Sequence, residues 1–112
     1  MSLLKITPRD AATGPVLEIG GELDYSNATE LRDRVARFTL EPGQCLILDL
    51  AGLTFCDSSG ITALIAARNH ALAAGADVAL TGVPSNTLRI LRIVGLDQIF
   101  TIHSTSGAAD PS

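Results

Sequence analysis

The residues of this chain best placed to do chemistry are Asp57-Ser58-Ser59-Gly60. They follow the apolar run Leu46-Ile47-Leu48-Asp49-Leu50 and a turn read over 51–57, and they precede a stretch of strong helix formers from Ile61 to Ala74 that Gly75 can stop. Two serines therefore fall at the start of a helix. The first turn of a helix presents unpaired N–H groups and a partial positive charge, so it favours an added anion such as a phosphate. A seryl phosphate is the chemistry this position favours, and the plainer use of the same position is Ser58 or Ser59 as an N-cap.

Other chemistries are poorly supplied. A serine hydrolase needs a histidine base, and the two histidines are His70, well along the same helix, and His103, in the last strand. Ser58 also lacks the Gly-x-Ser-x-Gly elbow, and no glycine-rich loop with a lysine is present to cradle a nucleotide. Cys45 and Cys56 have no zinc or redox spacing and read as reduced, mostly buried small hydrophobes. The expectation is a protein that is not an enzyme and uses neither cofactor nor metal.

Composition narrows the field further. A chain of 112 residues with 46% hydrophobic content suits one domain over 1–112, with an ordered core over about 3–103 and a flexible tail over 104–112. Aromatics are scarce and Trp is absent, so the core must be built from Leu, Ile, Val and Ala, as in helix-covered parallel or mixed sheets. A net charge of −4 with scattered Lys and Arg argues against a nucleic-acid surface. No apolar run reaches the roughly 18 residues that cross a bilayer, and the N-terminus lacks a signal-peptide pattern. The expectation is a cytoplasmic protein without a membrane partner.

These residues must be positioned by elements, and the pattern supplies them in order. Leu3 to Thr7 and Pro15 to Ile19 read as strands joined by a hairpin loop. Asn27 and Glu30 have the spacing of a capping box, and the first helix then runs to about Phe38 with Ala28, Leu31, Val35 and Phe38 as its apolar stripe. The central strand follows, then the helix headed by the serines, then a strand over 77–82 whose helical crossover makes it parallel to the central one. Pro84 opens a third helix with Leu88, Leu91 and Val94 as the buried stripe, Arg89 and Arg92 outside and Gly95 as its stop. A last strand falls within 96–103.

On the second helix, steps of about 100° gather Ile61, Leu64, Ala67, Ala71 and Leu72 on one side, and Thr62, Ala66, Asn69 and Ala73 on the other. That second side is small and weakly polar. Small side chains let another protein approach closely, and they leave room for weak self-association as a homodimer.

At this point the sequence resembles a known family. Gly21-Glu22-Leu23-Asp24, then Leu53-Thr54-Phe55-Cys56-Asp57-Ser58-Ser59-Gly60, then Leu91-Arg92-Ile93-Val94-Gly95-Leu96 are similar, in this order and spacing, to the STAS domain of bacterial anti-sigma-factor antagonists. The resemblance covers nearly the whole chain. It implies an α/β fold, a single mixed β-sheet of about five strands with three to four helices packed mainly on one face. It also implies an antagonist that, unphosphorylated, binds an anti-sigma factor that is itself a serine kinase, and so releases a sigma factor. Phosphorylation ends the binding, and a metal-dependent serine phosphatase restores it.

Carried over by that resemblance, Ser58 is the phosphoacceptor, with Ser59 the neighbouring hydroxyl. Asp24 and Asp57 stand beside it in partner recognition, and Ser58, Ser59, Gly60, Thr62, Ala66 and Asn69 present the docking surface. Thr62 stands where many relatives have Gly, and Cys56 where they have an aliphatic residue. A phosphorylation-independent STAS subunit of a lipid-transport or stress-signalling complex is the alternative role the same fold allows.

Overall fold

In the computed structural model, residues 3–12 and 14–103 are described; the tail over 104–112 lies outside them. The order is β1 (Leu4–Ala11), β2 (Gly14–Leu23), α1 (Ala28–Ala36), β3 (Cys45–Asp49), β4 (Leu53–Cys56), α2 (Ser58–Ala73), β5 (Asp77–Thr81), α3 (Ser85–Ile93), a 3-10 turn at Leu96–Gln98, and β6 (Thr101–His103). All the strands belong to one mixed sheet in the order β1-β2-β3-β5-β6, with β4 also on β2.

The topology explains why the helices share a face. β1 and β2 form an antiparallel hairpin, whereas β2, β3, β5 and β6 are parallel. Each parallel connection steps one way across the sheet, and crossovers of one hand moving one way must lay their helices on the same side. The core lies there. Leu17 and Ile19 of β2, Leu46 and Leu48 of β3, and Val78 and Leu80 of β5 pack with Leu31, Val35, Leu64 and Leu91 of the helices. The opposite face carries a polar row in register, Thr7, Glu18, Asp49, Thr81 and His103. Leucine alternation in the strands thus separates a helix-covered face from a polar one.

Two strands, β3 and β4, share the same flank of β2. Val16 to Glu18 pair with β3, and Gly21 to Leu23 pair with β4, with a break in register between Gly21 and Glu22. Gly21 takes φ +86° at that break, a conformation that favours glycine. β4 falls in the span read from the sequence as a turn. It has four residues and only Leu53 and Cys56 are buried, so it carries no alternation to betray it.

Three helix readings are corrected. α1 stops at Ala36, and Phe38 packs half-buried beyond its end. Leu72 is 45% exposed, because it lies one step of about 100° around from the buried Ala71, near the end of α2. α3 buries Thr87 and Leu91 and leaves Leu88 half-buried, while Val94 is 57% exposed. Val94 caps the helix end, so the stripe that runs through Thr87 and Leu91 no longer governs where it points.

Candidate functional site

The serines sit where two loops meet. Leu23 and Cys56 are register partners at the ends of β2 and β4, and the Asp57 N–H donates to the Leu23 carbonyl at 3.2 Å. The loop after β2 opens with Asp24 and the loop after β4 with Asp57, so parallel pairing brings the two carboxylate residues side by side. Sequence spacing alone, with the two 33 positions apart, does not show this.

Asp57, and neither serine, is the N-cap of α2. Its backbone is extended, its carboxylate accepts from the Gly60 N–H at 3.0 Å, and its carbonyl accepts from the Ile61 N–H at 3.0 Å. This corrects the reading of Ser58 or Ser59 as a cap. With the cap supplied by the residue before them, the serines become the first two residues of the helix. Ser58 is exposed, its hydroxyl makes no hydrogen bond among the described residues, and Ser59 is half-buried. The Thr62 hydroxyl donates to the Ser58 carbonyl at 2.9 Å, which ties back the backbone and leaves the serine side chain free.

Gly60 is buried rather than part of the surface. A Cβ there would stand 2.7 Å from Cys56 Sγ and 2.9 Å from Leu23 Cγ, so the missing side chain lets the helix start lie directly on the two strand ends. The same burial, with the Asp57 carboxylate adding to it, pushes the Cys56 thiol up to about 11. Cys56 therefore sits under the serines as a neutral thiol. Both cysteines are free.

The loop after β2 is organised differently. Asn27 is 5% exposed, and its side chain reaches back instead of capping α1. Its Oδ1 accepts from the Asp24 N–H at 2.9 Å and its Nδ2 donates to the Glu22 carbonyl at 2.8 Å. The expected capping box with Glu30 is not formed; a buried amide with two backbone partners in the loop satisfies more polar groups there than at the helix end. Asp24 Oδ1 accepts from the Ser26 N–H at 3.0 Å and the Ser26 hydroxyl at 2.6 Å. Between these anchored residues Tyr25 stands 81% exposed.

Of the expected site residues, Asp24, Asp57, Ser58, Ser59 and Thr62 gather at one end of the molecule. Asn69 is exposed some 16 Å from Ser58 along the α2 axis, at about 1.5 Å per residue. Ala66 is half-buried and faces α1, where it lines a cleft of about 420 Å³ with Thr29, Arg32 and His70. A second hollow, of about 350 Å³, begins at Asp57, Ser58 and Thr62 and continues between α2 and α3 over Ile61, Ile65, Ile90, Val94 and Leu96. The sequence places Val94 in the buried stripe of α3 and gives Ile90 no role, so this apolar groove is not legible there. Ile90 and Val94 are 38% and 57% exposed, and Ile93 beside them is 76% exposed.

Among the described residues, no three His, Cys, Asp or Glu converge as metal ligands would, and no helix is long and apolar enough to cross a membrane. The site therefore offers a free hydroxyl, two adjacent carboxylate residues and an apolar groove.

Comparison with known proteins identifies the fold and the family. The family description "STAS domain" matches residues 4–109. The anti-sigma-F factor antagonist RsfB of Mycobacterium tuberculosis is 28% identical over 102 residues, covering 91% of this chain and 83% of that protein. A STAS-domain containing protein of Pseudomonas aeruginosa is 30% identical over 101 residues, covering 88% and 99%. Among solved structures, an anti-sigma factor antagonist from Mycobacterium paratuberculosis superposes with a TM-score of 0.82 at 23% identity, over 95% of this chain and 90% of that one. A murine Solute Carrier 26 family anion transporter contains the same fold, with a TM-score of 0.75 at 19% identity over 90% of this chain but only 18% of its own. The fold is thus shared by different roles, while the family is not in question: the chain belongs to the STAS-domain family.

Proposed function

We propose that this protein is an anti-sigma-factor antagonist whose unphosphorylated form binds an anti-sigma factor with serine kinase activity and thereby releases a sigma factor. Phosphorylation of Ser58 by that partner ends the binding, and a metal-dependent serine phosphatase reverses it. The observation that carries the reading is the exposed, unbonded Ser58 hydroxyl at the first position of α2, at the mouth of the α2/α3 groove. The curated relatives named as anti-sigma factor antagonists support the same role.

The physics of such a switch is local. Because Asp57 already occupies the cap, a phosphate on Ser58 would add about −1.5 to −2 charges beside a carboxylate. In the free domain, unpaired N–H groups of the first turn and water can steady that charge. In a dried interface it would meet desolvation and repulsion, and no refolding is needed to lose the complex. The groove supplies the apolar area that such an interface buries, and Thr62 and Asn69 continue the surface along α2. The protein itself catalyses nothing in this scheme.

The test is intact-mass analysis after incubation with ATP and each candidate anti-sigma kinase of the same genome, followed by titration of the partner. One added phosphate is expected, mapped to Ser58 and absent in Ser58→Ala. Ser58→Glu should weaken partner binding about a hundredfold or more, a loss of the size seen when a charge is stranded in an interface, while Ser58→Ala binds as the parent does. A well-folded protein that takes no phosphate, or equal binding by all three forms, would instead point to a STAS subunit that works without phosphorylation.

A further inference from the structure

Tyr25 is the only tyrosine of a chain with four aromatic residues, and it is more exposed than any other large hydrophobic side chain described. Among the described residues nothing bonds to or stacks on its ring. Yet the loop that carries it is one of the most tightly bonded in the molecule: the backbone before it is held by Asn27 through the Asp24 N–H and the Glu22 carbonyl. The backbone after it is tied by the Asn27 and Ala28 N–H groups, which donate to the Asp24 carbonyl at 3.1 and 2.8 Å. Ser26 fixes the Asp24 carboxylate from the other side. Because the backbone under the ring is already fixed, binding would order only the two side-chain torsions of Tyr25, and aromatic anchors of this kind dominate interface energies.

Resting on the functional reading above, we propose that Tyr25 is the aromatic anchor of the partner interface, preset by Asn27. Its occupant is the same protein that engages Ser58, because the pairing of Leu23 with Cys56 places the Tyr25 loop directly beside the Asp57 loop. The flanking carboxylates of Asp24 and Asp57 define the chemistry of the surface it meets: an apolar recess large enough for a phenol ring, rimmed by Lys or Arg. The ring supplies affinity and the carboxylates supply orientation. Asn27 touches no partner and acts as a positioning residue.

The probe is the purified anti-sigma kinase that phosphorylates Ser58, with affinity, association rate and phosphorylation kinetics measured on the full chain. Tyr25→Ala should weaken binding about thirtyfold, the size of a hot-spot truncation, and raise KM for phosphorylation far more than it lowers kcat, with the melting temperature unchanged. Tyr25→Phe, which keeps the ring, should stay within about threefold. Asn27→Ala should slow association although it lies outside the interface, because the loop must then order on binding. Parental affinity for Tyr25→Ala overturns the proposal, and equal losses for Tyr25→Phe and Tyr25→Ala overturn the ring as the anchor. If Ser58→Glu still weakens the complex in the first case, this inference falls alone; if Ser58→Glu is also silent, the functional reading falls with it.

Discussion

The loops that lead into α1 and α2 lie side by side and start from paired strand ends, yet they spend their polar groups in opposite ways. In the first, Asn27 occupies the cap position of its helix but turns its amide back to Glu22 and Asp24, and the result is a closed network with a buried centre. In the second, Asp57 caps its helix through Gly60 and frees the two residues behind it. The contrast shows how one polar side chain decides whether a loop becomes scaffold or chemistry. Internal satisfaction makes the Asp24 loop rigid, and external capping makes the Ser58 hydroxyl available.

Substitutions that remove either device test this contrast, and the larger effect belongs to the buried one. Asn27→Ala leaves the Asp24 N–H and the Glu22 carbonyl without their partner in a site that is 5% exposed, so chemical denaturation should show a loss of about 2 kcal/mol. Asp57→Ala removes only the cap bond to Gly60, and the same measurement should show about 1 kcal/mol. If the order were reversed, the first loop would not be the scaffold. At neutral pH the smallest effect concerns Cys56 beneath both loops, whose test lies in the pH profile. Burial raises its thiol from 9.0 to about 11, so the folded state holds the proton more tightly than the unfolded one. Its contribution is present below about pH 9 and is lost as pH rises towards 11, because only the unfolded thiol ionises in that window. Denaturation midpoints of the parent should therefore fall more steeply above pH 9 than those of Cys56→Ala, and parallel profiles would contradict a neutral, buried thiol.

The two faces of α2 show how far periodicity reaches. Ile61, Leu64, Ala67 and Ala71 are buried as their spacing indicates, since a helix on a sheet must bury one stripe. The outward side was read as a single docking face, but its neighbours divide it: Ala66 turns into the α1 cleft, and Thr62 opens the α3 groove. Periodicity describes one helix at a time. Which sector of that helix meets α1, and which meets α3, depends on where those helices lie.

What the sequence determined by itself is local and repetitive. The Ala-rich run of α2, the Gly75 stop and the helical crossover between β3 and β5 follow from propensity and period, and they suffice for a mixed α/β sheet. The apolar run Leu46 to Leu50 reads as a strand buried on both faces, whereas β3 buries only alternate residues, and the packing of the helices on one face is implied by the family resemblance alone. The Asp-Ser-Ser-Gly start of α2 was legible too, because a short motif between a strand and a helix has few conformations open to it. What the tertiary structure alone decided is everything set by register and by competition for hydrogen bonds. The pairing of Leu23 with Cys56 brings Asp24 to Asp57, the geometry of the turn gives the cap to Asp57 rather than Ser58, and burial draws Asn27 away from its helix. Likewise Val94 lines a groove instead of joining the core because it caps the end of α3, past its buried stripe. Sequence separation hides such contacts, since each depends on where a distant segment places its backbone N–H and C=O groups, and those positions exist only once the sheet has formed.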